Sequence, residues 1–89
     1  MALFTVVLDY AGGTYIEQVR SASAAGAAKR WARDLVEEQI KGLGSAGKAE
    51  LCDQLGDDSP VALTGLTNAW CQTASVNGKL ALINLIKTA

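Results

Sequence analysis

The segment Lys79 to Thr88, KLALINLIKT, constrains this chain most, because it reads as a strand that is apolar on both faces. Side chains alternate along a strand with a period of two, so Leu80, Leu82 and Ile86 point one way while Ala81, Ile83 and Leu85 point the other. The strand is entered through Asn77-Gly78, the strongest short-range sign of a two-residue hairpin turn. Such a strand needs cover on two sides. With 89 residues, 49% of them hydrophobic, the chain has material for a single domain over 1–89 and one core. A domain of this size buries only roughly 60 to 70% of the surface that its unfolded chain exposes. The second cover is therefore expected from outside, as a homodimer partner or another protein.

The turn at Asn77-Gly78 sets Trp70 opposite Leu85, Gln72 opposite Ile83, Thr73 opposite Leu82 and Cys71 opposite Asn84. A second hairpin opens the chain. Leu3 to Tyr10 is rich in β-branched and aromatic residues, with Phe4, Val6, Leu8 and Tyr10 on one face, and Thr14 to Arg20 returns after Gly12-Gly13. A two-residue loop there places Tyr10 opposite Tyr15 and Val6 opposite Val19, whereas a three-residue loop pairs Leu8 with Ile16.

Between the hairpins the period changes to about 3.6. Ala24, Ala27, Ala28, Trp31 and Leu35 form one apolar stripe behind an N-cap at Ser21 or Ser23, with Gly42 beyond Ile40 to close the helix. Lys29, Arg30, Arg33, Asp34, Glu37 and Glu38 make a mixed-charge face opposite it. A second helix is expected over Ala46–Leu55, capped by Ser45, with Leu51, Cys52 and Leu55 inward. Val61 to Leu63 has length for at most a very short edge strand. The resulting expectation is a two-layer α+β domain, with an antiparallel four-stranded sheet in ββααββ order and helices on one face. Trp70, Gln72, Ala81, Ile83 and Leu85 are the candidate interface residues on the final hairpin.

The chain has no histidine, which removes that side chain as general base and metal ligand. Its two cysteines, Cys52 and Cys71, form no Cys-x-x-Cys pair and read as small buried hydrophobes. Glu37-Glu38 is an adjacent helical pair whose side chains diverge, Asp57-Asp58 falls in an exposed turn before Pro60, and no glycine pattern matches a nucleotide loop. Neither catalysis, a metal nor a cofactor is expected. The formal net charge of -1 supplies no field for a polyanion, so nucleic-acid binding through Arg20, Lys29, Arg30 and Arg33 is disfavoured. No apolar run approaches the ~20 residues that cross a bilayer, and a strand-like segment in place of a signal peptide reads as cytoplasmic.

Phe4-Thr5-Val6-Val7-Leu8-Asp9-Tyr10, followed by Gly12-Gly13-Thr14-Tyr15 and then an alanine-rich amphipathic helix, resembles the start of HicB-type antitoxins over roughly the first 40 residues. The resemblance implies a small bacterial protein that binds and blocks a partner toxin. The third strand that the family places before its helix is missing here or absorbed into Arg20 to Ser23. The expected function is thus that of a non-enzymatic protein-binding domain, antitoxin- or immunity-like. The alternative is a small-molecule or enzymatic site between sheet and helix, built from Asp9, Tyr10, Tyr15 and Arg20.

Overall fold

The first strand of the chain pairs with the last. A computed structural model describes residues 1–89, with β1 (Ala2–Tyr10), β2 (Gly13–Ser21), α1 (Ala24–Asp34), α2 (Gly44–Asp57), β3 (Val61–Ala62), β4 (Ala69–Val76) and β5 (Lys79–Lys87) in that order. β1 and β5 run antiparallel at the centre of one sheet, Val6 opposite Leu85 and Leu8 opposite Ile83. This pairing joins the two hairpins and merges their apolar faces into one floor. Phe4, Val6, Leu8 and Tyr10 of β1 and Ala81, Ile83 and Leu85 of β5 are all buried there, under Trp31 of α1 and Leu51 and Leu55 of α2.

The sheet has five strands in the order β2-β1-β5-β4-β3, which corrects the expected four-stranded ββααββ arrangement. Val61 and Ala62 pair with Cys71 and Trp70, and Leu63 N donates to Ala69 O at 3.0 Å beyond them. A two-residue strand carries no alternation of its own to read. The neighbouring backbone edge of β4 decides its state.

The hairpin between β4 and β5 has the register that Asn77-Gly78 dictates, including Trp70 opposite Leu85 and Cys71 opposite Asn84. The first hairpin differs from both expected registers. Its loop is Ala11-Gly12, which puts Tyr10 opposite Gly13, Leu8 opposite Tyr15 and Val6 opposite Glu17. A turn matched to the twist of the strands needs positive φ at both central residues. Ala11 accepts this at φ 50 and Gly12 at φ 82. Gly13 leaves room in the strand for the ring of Tyr15, since a Cβ on it would lie 2.6 Å from Tyr15 Oη.

Ser23 caps α1, accepting from Gly26 N at 3.1 Å. The helix stops at Asp34, short of Ile40, because Leu35 turns into extended backbone at φ -64 and ψ 145. A short 3-10 turn at Glu37–Gln39 follows, while Leu35, Ile40 and Leu43 remain buried and fill the space between the helices. Lys48 Nζ donates to Leu35 O at 2.8 Å, placing a cation at the carbonyl end of α1. α2 extends past both expected ends, and Ser45 lies inside it rather than capping it. No helix is long and apolar enough to cross a membrane.

Asn77 ties the tip of the final hairpin to the rest of the fold. Its side-chain amide faces Leu43 O at 2.9 Å, Tyr10 Oη at 3.1 Å and Gly42 O at 3.2 Å, and its backbone N donates to Glu50 Oε1 at 2.9 Å. Gly47 makes room for it, since a Cβ there would lie 2.7 Å from Asn77 Nδ2. Asn77→Gly keeps the positive φ of the turn and removes the amide, at an expected cost of about 1–3 kcal/mol. Gly47→Ala should destabilise the native protein although alanine favours a helix by about 1 kcal/mol. In the Asn77→Gly background, where Leu43 Cδ1 at 3.0 Å is the closest remaining contact, the same change should cost less. Chemical denaturation of the four proteins checks this, and strictly additive effects would contradict the contact.

Candidate functional site

Two helices cover one face of the sheet and leave the other bare. On the bare face the registers align side chains in rows across the strands. One row runs Ile16, Val7, Asn84, Cys71 and Val61 from β2 to β3. The row on one side of it is Thr14, Asp9, Leu82 and Thr73, and on the other Gln18, Thr5, Ile86 and Ala69. Leu80 lies beyond the first of these, near the hairpin tips, and Arg20 and Leu3 beyond the second.

Much of this surface is apolar. Ile16 is 64% exposed, Val61 68%, Leu80 67% and Ile86 38%, so four of the seven strongly exposed large hydrophobic residues lie on this one face. Scattered exposed leucines are ordinary, but a contiguous set on one sheet face marks a contact surface. Val7, Leu82 and Cys71 are half-buried between them. Only Asp9 and Arg20 carry charge here, at opposite ends of the β1–β2 half. Asp9 Oδ1 accepts from Thr14 Oγ1 at 2.6 Å.

The sheet edges, in contrast, are managed. On the β4 side, Gln54 of α2 reaches the backbone of Ser75 with both ends of its amide: Ser75 N donates to Oε1 at 2.7 Å and Nε2 donates to Ser75 O. β3 covers the stretch at Trp70 and Cys71. On the β2 side, Glu17 shares the helix-facing side with Tyr15 and Val19 and stands exposed in mid-strand. A charge on the inward side of an edge strand opposes pairing with another strand. Arg30 Nη1 also donates to Arg20 O at 3.3 Å.

The five candidate interface residues lie on the other side of the sheet. Ala81 and Leu85 are buried, Ile83 has no exposure, Gln72 is buried beside Asp58 with Nε2 donating to its carbonyl at 3.3 Å, and Trp70 is half-buried against Phe4 with ring centroids 5.8 Å apart. These residues form the floor under the helices. The outward set of the same strand is Leu80, Leu82 and Ile86. A signal for this was present in the sequence: the partners of these leucines across the hairpin are Ser75 and Thr73, whereas Ala81, Ile83 and Leu85 face Ala74, Gln72 and Trp70. The more polar set across both strands is the outer one.

The alternative constellation is divided. Asp9 and Tyr10 border a shallow depression of about 370 Å³, which Tyr15 and Arg20 do not line. Tyr10 is buried, donates to Val76 O at 3.3 Å and takes part in the Asn77 cluster, while Tyr15 accepts from Lys41 N at 3.2 Å. The largest cleft, about 460 Å³, opens elsewhere, between Phe4, Trp70, Lys87 and the start of α1. At the surface, the hydrogen bond from Arg33 holds the Asp34 carboxyl below its ordinary range and raises the guanidinium in turn. No three potential metal ligands converge. Cys52 is on α2, packed against the core, and Cys71 is on the bare face, with both thiols free.

Compared with protein-family models, with curated proteins and with solved structures, the chain gives no significant match.

The two sides of β5 should respond differently to truncation. Leu85→Ala removes a fully enclosed side chain and should cost about 2–5 kcal/mol in a denaturant titration. Leu82→Ala should cost under about 1 kcal/mol when measured at low protein concentration. Equal losses would contradict the assignment of the faces.

Proposed function

We propose that this protein is a non-enzymatic interaction domain that docks through the bare face of its sheet. The observation that carries this reading is the contiguous exposure of Ile16, Leu80 and Ile86 around half-buried Val7 and Leu82, on a face that no element of the chain covers. Burial of such a patch removes apolar area from water at roughly 25 cal/mol per Å². The guarded edges direct association to the face and away from strand addition. Asn84 and Thr73 lie among the apolar side chains and give the surface hydrogen-bonding groups that fix register with a partner. The resemblance of the first 40 residues to HicB-type antitoxins gives the reading a biological form, that of a small protein acting by occupying a partner. The separation of Asp9 and Tyr10 from Tyr15 and Arg20 weighs against a composite small-molecule site.

Leu82→Glu places a charge at the middle of the surface and leaves the helix-facing core untouched. Tagged native protein and the tagged variant should be compared in co-purification, with an untagged copy of the chain co-expressed, after circular dichroism has established equal folding. A protein retained by the native chain and lost by the variant is expected. Identical co-purifying sets would contradict docking at this face.

A further inference from the structure

We infer that the occupant of the bare face is a second copy of this chain, packed sheet against sheet about a two-fold axis that runs between the sheets and across the strands. The inference rests on the docking role proposed above and names its partner. Two features of the face support it, its size and the placement of its charges.

The four long strands have eight or nine residues each. At about 4.8 Å between strands and about 3.4 Å per residue they present roughly 500 Å² in flat projection. Side-chain relief raises the accessible area of such a face toward the ~800 Å² that each partner brings to a stable interface. A single further copy therefore suffices to cover it, and stacked sheets about 10 Å apart are a common packing for such faces.

The charges choose the orientation. Asp9 belongs to the row with Thr14 and Leu82, and Arg20 lies beyond the opposite row, past Gln18 and Thr5. A two-fold axis across the strands reverses strand direction, so the Asp9 end of each copy meets the Arg20 end of the other. Both ion pairs form at once, because a two-fold interface is self-complementary. An axis along the strands instead gathers both aspartates at one end and both arginines at the other. Pairing through the β2 edge with Ile16 opposite Gln18 sets Glu17 against its own symmetry mate, and like charges directly opposite destabilise a strand pair. At the middle of the sheet-on-sheet arrangement lie Ile16, Val7 and Ile86, with the polar groups of Asn84, Gln18 and Thr5 among them, and Leu82 flanks them in the Asp9 row.

Light scattering coupled to size exclusion over a range of concentrations, with native protein and the variants Leu82→Glu, Asp9→Arg, Arg20→Asp and the Asp9→Arg/Arg20→Asp double exchange, tests the proposal. The expected result is twice the chain mass for the native protein and the chain mass for Leu82→Glu. Each single charge change should weaken the dimer roughly tenfold, as two exposed ion pairs become two repulsions. The double exchange should restore native affinity. A native protein at the chain mass throughout, a dimer indifferent to Leu82→Glu, or a double exchange no tighter than its singles overturns the proposal. If the native protein is monomeric while co-purification still finds a different protein lost on Leu82→Glu, only the identity of the partner fails. If co-purification also shows no dependence on Leu82, the docking role itself fails.

Discussion

The antiparallel pairing of β1 with β5 is the interaction on which the rest of this structure depends. Without it the chain is two separate hairpins, and a lone two-stranded hairpin is at best marginally stable in water. With it, Val6 and Leu8 stand beside Leu85 and Ile83, and the combined floor is wide enough for both helices. The pairing brings together residues some eighty positions apart, so the loop-closure cost is met by contacts that form only when the whole chain has assembled. It also puts β5 in the middle of the sheet. A central strand has no edge through which to avoid a neighbour above or below, and the residues of its second face are thereby committed to solvent or to a partner.

The polar contacts reinforce this arrangement at its ends. Asn77 holds the hairpin tip to the start of α2 and to Tyr10, and Gln54 occupies the exposed backbone of Ser75. Both of these fix α2 over β4, the strand with the weakest outer neighbour. Buried polar groups must be paired or they cost stability. Gln72 Oε1 is the exception, buried with no partner in the structure. On the helix side the molecule is thus closed by packing and hydrogen bonds, and the opposite side has nothing equivalent.

How much of this was legible in the sequence depended on whether the deciding force was local. The register of β4 with β5 follows from Asn77-Gly78 alone, since those two residues specify the turn. The register of β1 with β2 did not follow from Gly12-Gly13, because Gly13 serves the ring of Tyr15 and the turn uses Ala11 in a conformation that alanine rarely adopts. The stripe from Ala24 to Leu35 identified α1, but its end at Asp34 is set by the connector that buries Ile40 and Leu43. The fifth strand was only partly legible for a related reason: Val61 to Leu63 has length for a very short edge strand and nothing more, and Val61 and Ala62 become one because β4 is beside them. The two-faced nature of β5 was legible from alternation. Which face the helices take was not resolved by the apolar pattern, as leucine and isoleucine occupy both, and the polar residues of β4 were the available guide.

The central claim is that a second copy of this chain covers the outer face of β5 in solution. Hydroxyl-radical footprinting of Leu82 and Ile86 across a concentration series measures this directly, with Leu66, 63% exposed and outside the sheet, as internal reference. The account predicts that labelling of Leu82 and Ile86 falls relative to Leu66 as concentration rises. An Ile86 ratio that stays at the level of the Leu82→Glu variant from the most dilute to the most concentrated sample would contradict it.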